Sequence, residues 1–527
     1  MEMTSAEGKL DSRTECRAGC RWWPAVVILA LAAARWGYIW FVQDVDRQAK
    51  NLHTAILVIA TTALLLLWVL LFSRLPRTLR LLILGGVVGI FGLAATLLEI
   101  RGVTGDLVPI VGWRWQSVRP LPDEQDEIEI EKMIEPGASS QDYPQIYGPD
   151  RNGVLPGPRL ATDWSAQPPE ELWRQPIGGG WSGFAVVGEY AVTMEQRGEA
   201  ELVTCYHLLT GALIWKHADQ EHYQSGLAGA GPRTVPTIVD DRVFTLGATG
   251  TLNCLELTGG NLVWSKNIVA ENDSSVPEWG VSGSPLVADG MVIVCAGGEN
   301  GRSLVAYDKE TGDLVWSGGD DHAHYSSPVL ATIADTRQVL IFNSRGVAAH
   351  KIDSGQILWK ADWERGGSHI TMPLVLPNGR VLISSGYGIG SELLQVEHDS
   401  AGGWSTTRVW KSNQLKSKFA NVIVRDGYIY GLDDGTMACL ELATGDRHWK
   451  KGRYGHGQMI LVDDLLLVMS EPGDLVLLDP VPDEHRELTR FSIFRGKTWN
   501  PPALAGRLLL VRTDSEAACF RLPTAEP

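Results

Sequence analysis

The chain has 527 residues, 44% of them hydrophobic, including 20 tryptophans, and a formal net charge of −16. That length excludes a single small core and leaves room for a large domain plus a membrane region. The charge is uneven, with 11 Lys/Arg against 7 Asp/Glu in residues 1–101 and 35 against 55 in the remainder; an acidic main body repels phosphate and excludes nucleic acid as a partner.

Three apolar runs open the chain, at about Trp23–Val42, Leu52–Phe72 and Leu79–Ile100. Each approaches the roughly 20 residues a helix needs to cross a bilayer. Arg35 interrupts the first run, within reach of its far end, and Trp36, Tyr38 and Trp40 beside it suit an interfacial aromatic belt. Lys9, Arg13, Arg17 and Arg21 precede the first span, and Arg74, Arg77 and Arg80 lie between the second and third. The excess of basic residues there places the N-terminus in the cytoplasm and everything after Ile100 in the periplasm. The expected organisation is a cytoplasmic segment 1–22, three transmembrane helices over 23–100, an acidic linker 101–145 and a repeat domain 146–527. The run Asp123–Glu135 reads as a short surface helix or a solvated tether. The Pro- and Gly-rich stretch Tyr147–Pro158 reads as a strap across one face of the following domain.

From Glu171 onward the chain repeats. Gly312 is followed by Trp316 four residues later, and the same offset recurs at Gly211/Trp215, Gly260/Trp264, Gly355/Trp359 and Gly445/Trp449. Each glycine sits in a Thr-Gly, Ser-Gly or similar turn between two short apolar runs, where positive φ carries no steric cost. A second hairpin lies between these, clearest at Asp289-Gly290. Two hairpins per period of about 40–50 residues make a four-stranded blade, and such a period defines a β-propeller. Closing strands near 173, 215, 264, 316, 359, 410, 449 and 492 bound seven full blades. The three strands after Phe494 lack a fourth, and Leu172–Gln175 supplies it. The expected fold is therefore all-β, an eight-bladed propeller whose last blade is shared by the two ends of the repeat region, with seven blades as the alternative. Cys205, Cys254, Cys439 and Cys519 occupy one equivalent place in four blades, too far apart for disulfides, and read with Cys295 as buried small residues.

With Asp308, Thr311-Gly312 and Trp316 in place, the chain resembles the pyrroloquinoline quinone (PQQ)-like propeller repeat family over about residues 145–522. That resemblance implies one of two activities. Some members are quinoprotein dehydrogenases that hold PQQ and calcium above the propeller axis. Others are non-enzymatic, such as the scaffold subunit of the outer-membrane β-barrel assembly machinery. This chain has no adjacent cysteine pair, and no Glu/Asn/Asp calcium set can be placed in it by motif.

The lead-ins to the innermost strands converge on the axis of a propeller. Here they supply Trp181, Arg233, Trp279, His324, Tyr325, His369, Lys418, His456 and Trp499 as candidate ligand-binding residues. Aromatic rings with cations and imidazoles around a funnel suit a planar anion, a sugar or a peptide. No catalytic or metal set is identified. The leading expectation is a membrane-anchored periplasmic binding or scaffold module, without a redox cofactor, that takes a protein or small-molecule ligand at its channel. The alternative is a PQQ-dependent oxidoreductase feeding electrons to the membrane quinone pool.

Overall fold

The computed structural model describes residues 21–115, 142–363 and 366–525. All but the last two residues of the 1–22 segment, with Cys16 and Cys20, lie outside the described residues, as does the acidic run Asp123–Glu135. The chain divides into two compact units.

The first unit holds three helices, Trp23–Phe41, Arg47–Phe72 and Arg77–Leu97, each long and apolar enough to cross a membrane. The Asp46 carboxylate caps the second by accepting from the Ala49 amide at 2.8 Å, satisfying one of the orphan donors of a helix start. Its last turn, Trp68–Phe72, widens to a π-helix. The Arg35 guanidinium lies 5.2 Å from the Tyr38 ring, so the charge within the first span is placed beside the aromatic belt. The third helix stops at Leu97, short of the expected Ile100, because Leu98–Val103 instead forms a strand that pairs with Pro109–Trp113.

The second unit is an eight-bladed propeller. Its blades are four-stranded antiparallel sheets. Blade 1 is 185–219, blade 2 is 237–267, blade 3 is 286–318 and blade 4 is 329–362. Blade 5 is 374–412, blade 6 is 423–453 and blade 7 is 458–492. Blade 8 joins three strands from 503–521 to Glu170–Pro176, with Cys519 opposite Trp173 and Ala517 opposite Gln175. The shared closing blade expected from the sequence is thus present, and the ring leaves no open sheet edge at the join.

The Gly-to-Trp spacing works between blades. Gly211, Gly260, Gly312, Gly355 and Gly445 all have φ between +68° and +75°. A Cβ on any of them would come within 2.8 Å of a tryptophan ring of the preceding blade, respectively Trp173, Trp215, Trp264, Trp316 and Trp410. Each of those indoles donates from Nε1 to the carbonyl three residues before its glycine, for example Trp173 to Leu208 at 2.8 Å and Trp215 to Leu257 at 2.7 Å. Along its own blade each tryptophan faces a third-strand residue. For Trp215, Trp264, Trp449 and Trp173 that residue is Cys205, Cys254, Cys439 and Cys519. These cysteines and Cys295 are free and buried. Three seams depart from the pattern, one of them because Trp449 donates to the Val481 carbonyl with Glu484 where the others have glycine. Trp359 donates to Gln338 Oε1, and blade 7 has Thr489 where others have tryptophan. There the amide of the buried Trp164 donates to Thr489 Oγ1.

The strap differs from its expected course. It runs along the inner strands rather than over one face. Tyr143 bridges Val186 of blade 1, and Val154–Leu155 adds a parallel strand inside blade 7. Arg151, fully inside the protein, donates to the Ser284 and Pro285 carbonyls of blade 3 and to Gln145 Oε1. Burial lowers its pKa to about 9. An unpaired guanidinium there would be costly; three acceptors offset that cost.

Candidate functional site

Each inner strand is preceded by a short lead-in rich in Gly, Ser and Pro, which turns the chain toward the axis. The nine residues singled out from the sequence stand on these lead-ins, and the structure joins most of them into one belt of rings. Trp181 and Trp499 pack with centroids 4.9 Å apart. Lys497 lies 4.5 and 4.1 Å from their centroids. Phe419 continues the belt, 4.9 Å from Trp499 and 5.4 Å from His456. Lys418 lies 5.4 Å from Phe419 and 4.6 Å from Tyr387. Tyr387 stacks at 6.1 Å on Trp279, which stacks at 5.2 Å on Tyr325. His324 follows at 6.0 Å from Tyr325.

Two members, Arg233 and Trp181, are engaged by the loop between blades 1 and 2. Arg233 donates to the Gly231 and Gly229 carbonyls and lies 4.6 Å over Tyr223. Trp181 donates to the Ala228 carbonyl. Both therefore hold the loop between blades 1 and 2. His369 lies one layer deeper than the belt. It is fully buried, stacks on Phe342 at 4.2 Å and shares a 2.6 Å hydrogen bond between Nδ1 and the Asn343 carbonyl.

Burial sets the electrostatics of this mouth. It pulls Lys497 below the usual ammonium range and Arg233 down to about 10. It pushes the Tyr325 phenol up to about 12 and the Glu201 carboxyl up to about 7. Both imidazoles, His324 and His369, are lowered, the latter to about 4. The mouth thus offers partly desolvated cations beside aromatic faces, which favours anionic or aromatic groups of a ligand.

Tyr223, Tyr387, Phe419, Lys497 and Glu471 also stand at the mouth and are not among the nine residues expected from the sequence. Phe419 and Lys497 sit in lead-ins already recognised. Tyr387 lies in the Gly386–Gly390 loop, which has no helix to make it a phosphate cradle, and its role follows only from ring closure. Glu471 accepts from the Trp499 indole at 2.9 Å and from the His456 amide at 3.0 Å; its signal would have been an acidic residue in the turn after a second strand.

Fold and mouth together define a PQQ-like β-propeller, preceded in the chain by three apolar helices. The family model that matches covers residues 199–451 and is described as outer membrane protein assembly factor BamB. Over that stretch the chain carries PQQ-like repeats. It is 24% identical to the outer membrane protein assembly factor BamB of Bordetella pertussis, over 68% of this chain and 86% of that protein. It is likewise 24% identical to BamB of Moranella endobia, over 46% and 63%. Among solved structures it is similar to the quinohemoprotein alcohol dehydrogenase of Comamonas testosteroni. That likeness has a TM-score of 0.53 and 13% identity, over 73% of this chain and 81% of that one.

A quinone held by calcium requires six to eight oxygen ligands around the metal. Among the described residues no group of three or more His, Cys, Asp or Glu is arranged to hold a metal ion. Glu201 and Glu471, at the mouth, are turned onto backbone amides.

Proposed function

We propose that this protein is a scaffold or binding module that works without a redox cofactor. Its three helices anchor it in the inner membrane with the N-terminus in the cytoplasm, and its propeller stands in the periplasm. A protein partner docks on the aromatic and cationic mouth. The observation that carries this reading is the convergence of Trp279, Tyr325, Tyr387, Lys418, Phe419, Lys497 and Trp499 on one mouth. Similarity to a protein named as an outer membrane protein assembly factor supports it and suggests a partner from that process.

The reading is tested by adding PQQ and Ca²⁺ to the purified full chain and recording the absorption spectrum and dye-linked dehydrogenase activity. No stoichiometric uptake is expected. Uptake with turnover would favour a quinoprotein oxidoreductase instead. Orientation is tested with alkaline phosphatase fusions. A fusion after Pro527 should be active and one after Ser73 inactive; the reverse pattern would overturn the topology.

A further inference from the structure

The mouth at blades 6 and 7 already holds a ligand, and the ligand is part of the same chain. Residues 101–110 cluster with the propeller, and their turn, Thr104-Gly105-Asp106-Leu107, closes with the Leu107 amide donating to the Thr104 carbonyl at 2.9 Å. The Gly105 backbone and the Asp106 carboxylate are both held by the propeller. The Gly105 amide donates to Glu471 Oε1 at 2.6 Å, and its carbonyl accepts from Lys418 Nζ at 2.7 Å. The Asp106 carboxylate pairs with Arg453 and lies 3.0 Å from His456 Nε2.

The fit is selective as well as polar. A Cβ on residue 105 would stand 2.2 Å from His456 Cδ2 and 2.7 Å from its Cγ, so glycine is required at the first corner. Lys418, His456 and Glu471 are almost wholly buried around the turn. Buried charges of this kind are costly unless paired. A tether needs only length, and nothing in a tether's role calls for two cations, an imidazole and a carboxylate arranged around one dipeptide. At Leu107 the backbone adopts φ +58°, a conformation that disfavours side chains, so the docked turn is held against local strain.

We infer that this corner of the mouth is a receptor for a Gly-Asp β-turn presented by a partner protein, and that the chain's own Gly105–Asp106 turn occupies it in cis as a competitor. The inference rests on the scaffold reading and names the chemistry of its partner. Access in trans is set by the fraction of molecules whose own turn has left, and apparent affinity scales with that fraction.

The test uses the full chain in detergent micelles and a fluorescein-labelled cyclic peptide carrying the sequence of residues 101–110. Asp106→Ala removes the paired carboxylate without touching a blade. It should raise peptide affinity at least tenfold over wild type. Arg453→Glu added to Asp106→Ala should abolish the gain, and a peptide with Asn in place of Asp should not bind. Equal binding by wild type and Asp106→Ala would overturn the receptor. Hydrogen exchange separates the cis arm: amides of 105–108 should be protected in wild type and released in Asp106→Ala. Unprotected amides in wild type would overturn cis occupancy. Continued burial of Cys519 against thiol labelling certifies the fold of each variant. Failure of both arms, with partner capture at Trp279 still observed, would remove this inference and leave the scaffold reading standing.

Discussion

The seam between blade 8 and blade 1 closes the ring, and Gly211→Ala tests it. Gly211 has φ +72°, and an alanine Cβ there would stand 2.7 Å from Trp173 Cδ2. Two costs add. An alanine in the left-handed region costs about 1 kcal/mol net, once the stiffer unfolded chain is counted. Forcing the indole aside in a packed seam costs about 1–3 kcal/mol more. Gly188→Ala in the same blade isolates the first cost, because Gly188 has φ +57° and open space around it. Gly211→Ala should therefore destabilise by about 2–4 kcal/mol and Gly188→Ala by about 1. Trp173→Ala alone should cost about 3–5 kcal/mol through its cavity. In that background Gly211→Ala should fall back to about 1, a coupling of about 1–3 kcal/mol. The assay is pulsed thiol labelling of the full chain, resolved by peptide mass. Cys519 pairs with Trp173 and is fully buried, its thiol pushed up to about 12 by burial. Gly211→Ala should label Cys519 roughly tenfold to a hundredfold faster than Gly188→Ala does, with Cys439 in blade 6 unaffected. Equal costs for the two alanines, or no coupling to Trp173, would mean that the indole does not close this seam.

The same closure has a polar fastener. Arg512 of blade 8 is fully buried and donates to the Thr193 hydroxyl and the Met194 and Gly178 carbonyls, at 2.8–2.9 Å. Arg512→Met strands those acceptors and should cost about 3–5 kcal/mol in urea unfolding; a loss below about 1 would contradict it. Burial lowers His369 to about 4 from 6.5, so its contribution is full above pH 6.5 and is lost as pH falls toward 4. That amounts to about 3 kcal/mol. His369→Phe should flatten the fall in urea midpoint between pH 7 and pH 4.5, and an unchanged slope would count against it. Glu201 has the opposite sign. Its carboxyl is raised to about 7 by burial, so its contribution is present below pH 4.5 and lost as pH rises through 7. Glu201→Gln should raise the midpoint at pH 8 relative to pH 5; no difference would refute the shift.

What the sequence revealed was local or periodic. Gly312 and Trp316 sit in one hairpin, so their spacing exposes the blade and its number of copies. The missing fourth strand after Phe494 pointed to Leu172–Gln175, because a ring must close. The contact between Trp173 and Gly211 was not legible, since it joins two blades through a seam that no spacing records. Thr489 hid a seam for the opposite reason: the blade lacks its tryptophan, and Trp164 from the strap lies against it. The lead-in rule found Trp279, Tyr325, Lys418 and Trp499, which meet in the belt. It also selected His369, whose neighbour Phe342 draws it into the wall. The Gly105–Asp106 turn looked like linker, because its partners Lys418, Arg453, His456 and Glu471 lie more than 300 residues away and nothing in Thr-Gly-Asp-Leu marks a ligand.

On the proposed scaffold reading, the partner meets the mouth rather than the outer rim of the blades. Replacing Trp279 with a photoreactive phenylalanine in living cells tests it, with Leu314 as the comparison. Leu314 lies on the outermost strand of blade 3 and is 57% exposed. A specific adduct is expected from position 279, identified by mass as a component of outer-membrane protein assembly, and none from 314. An adduct from 314 with none from 279 would contradict it.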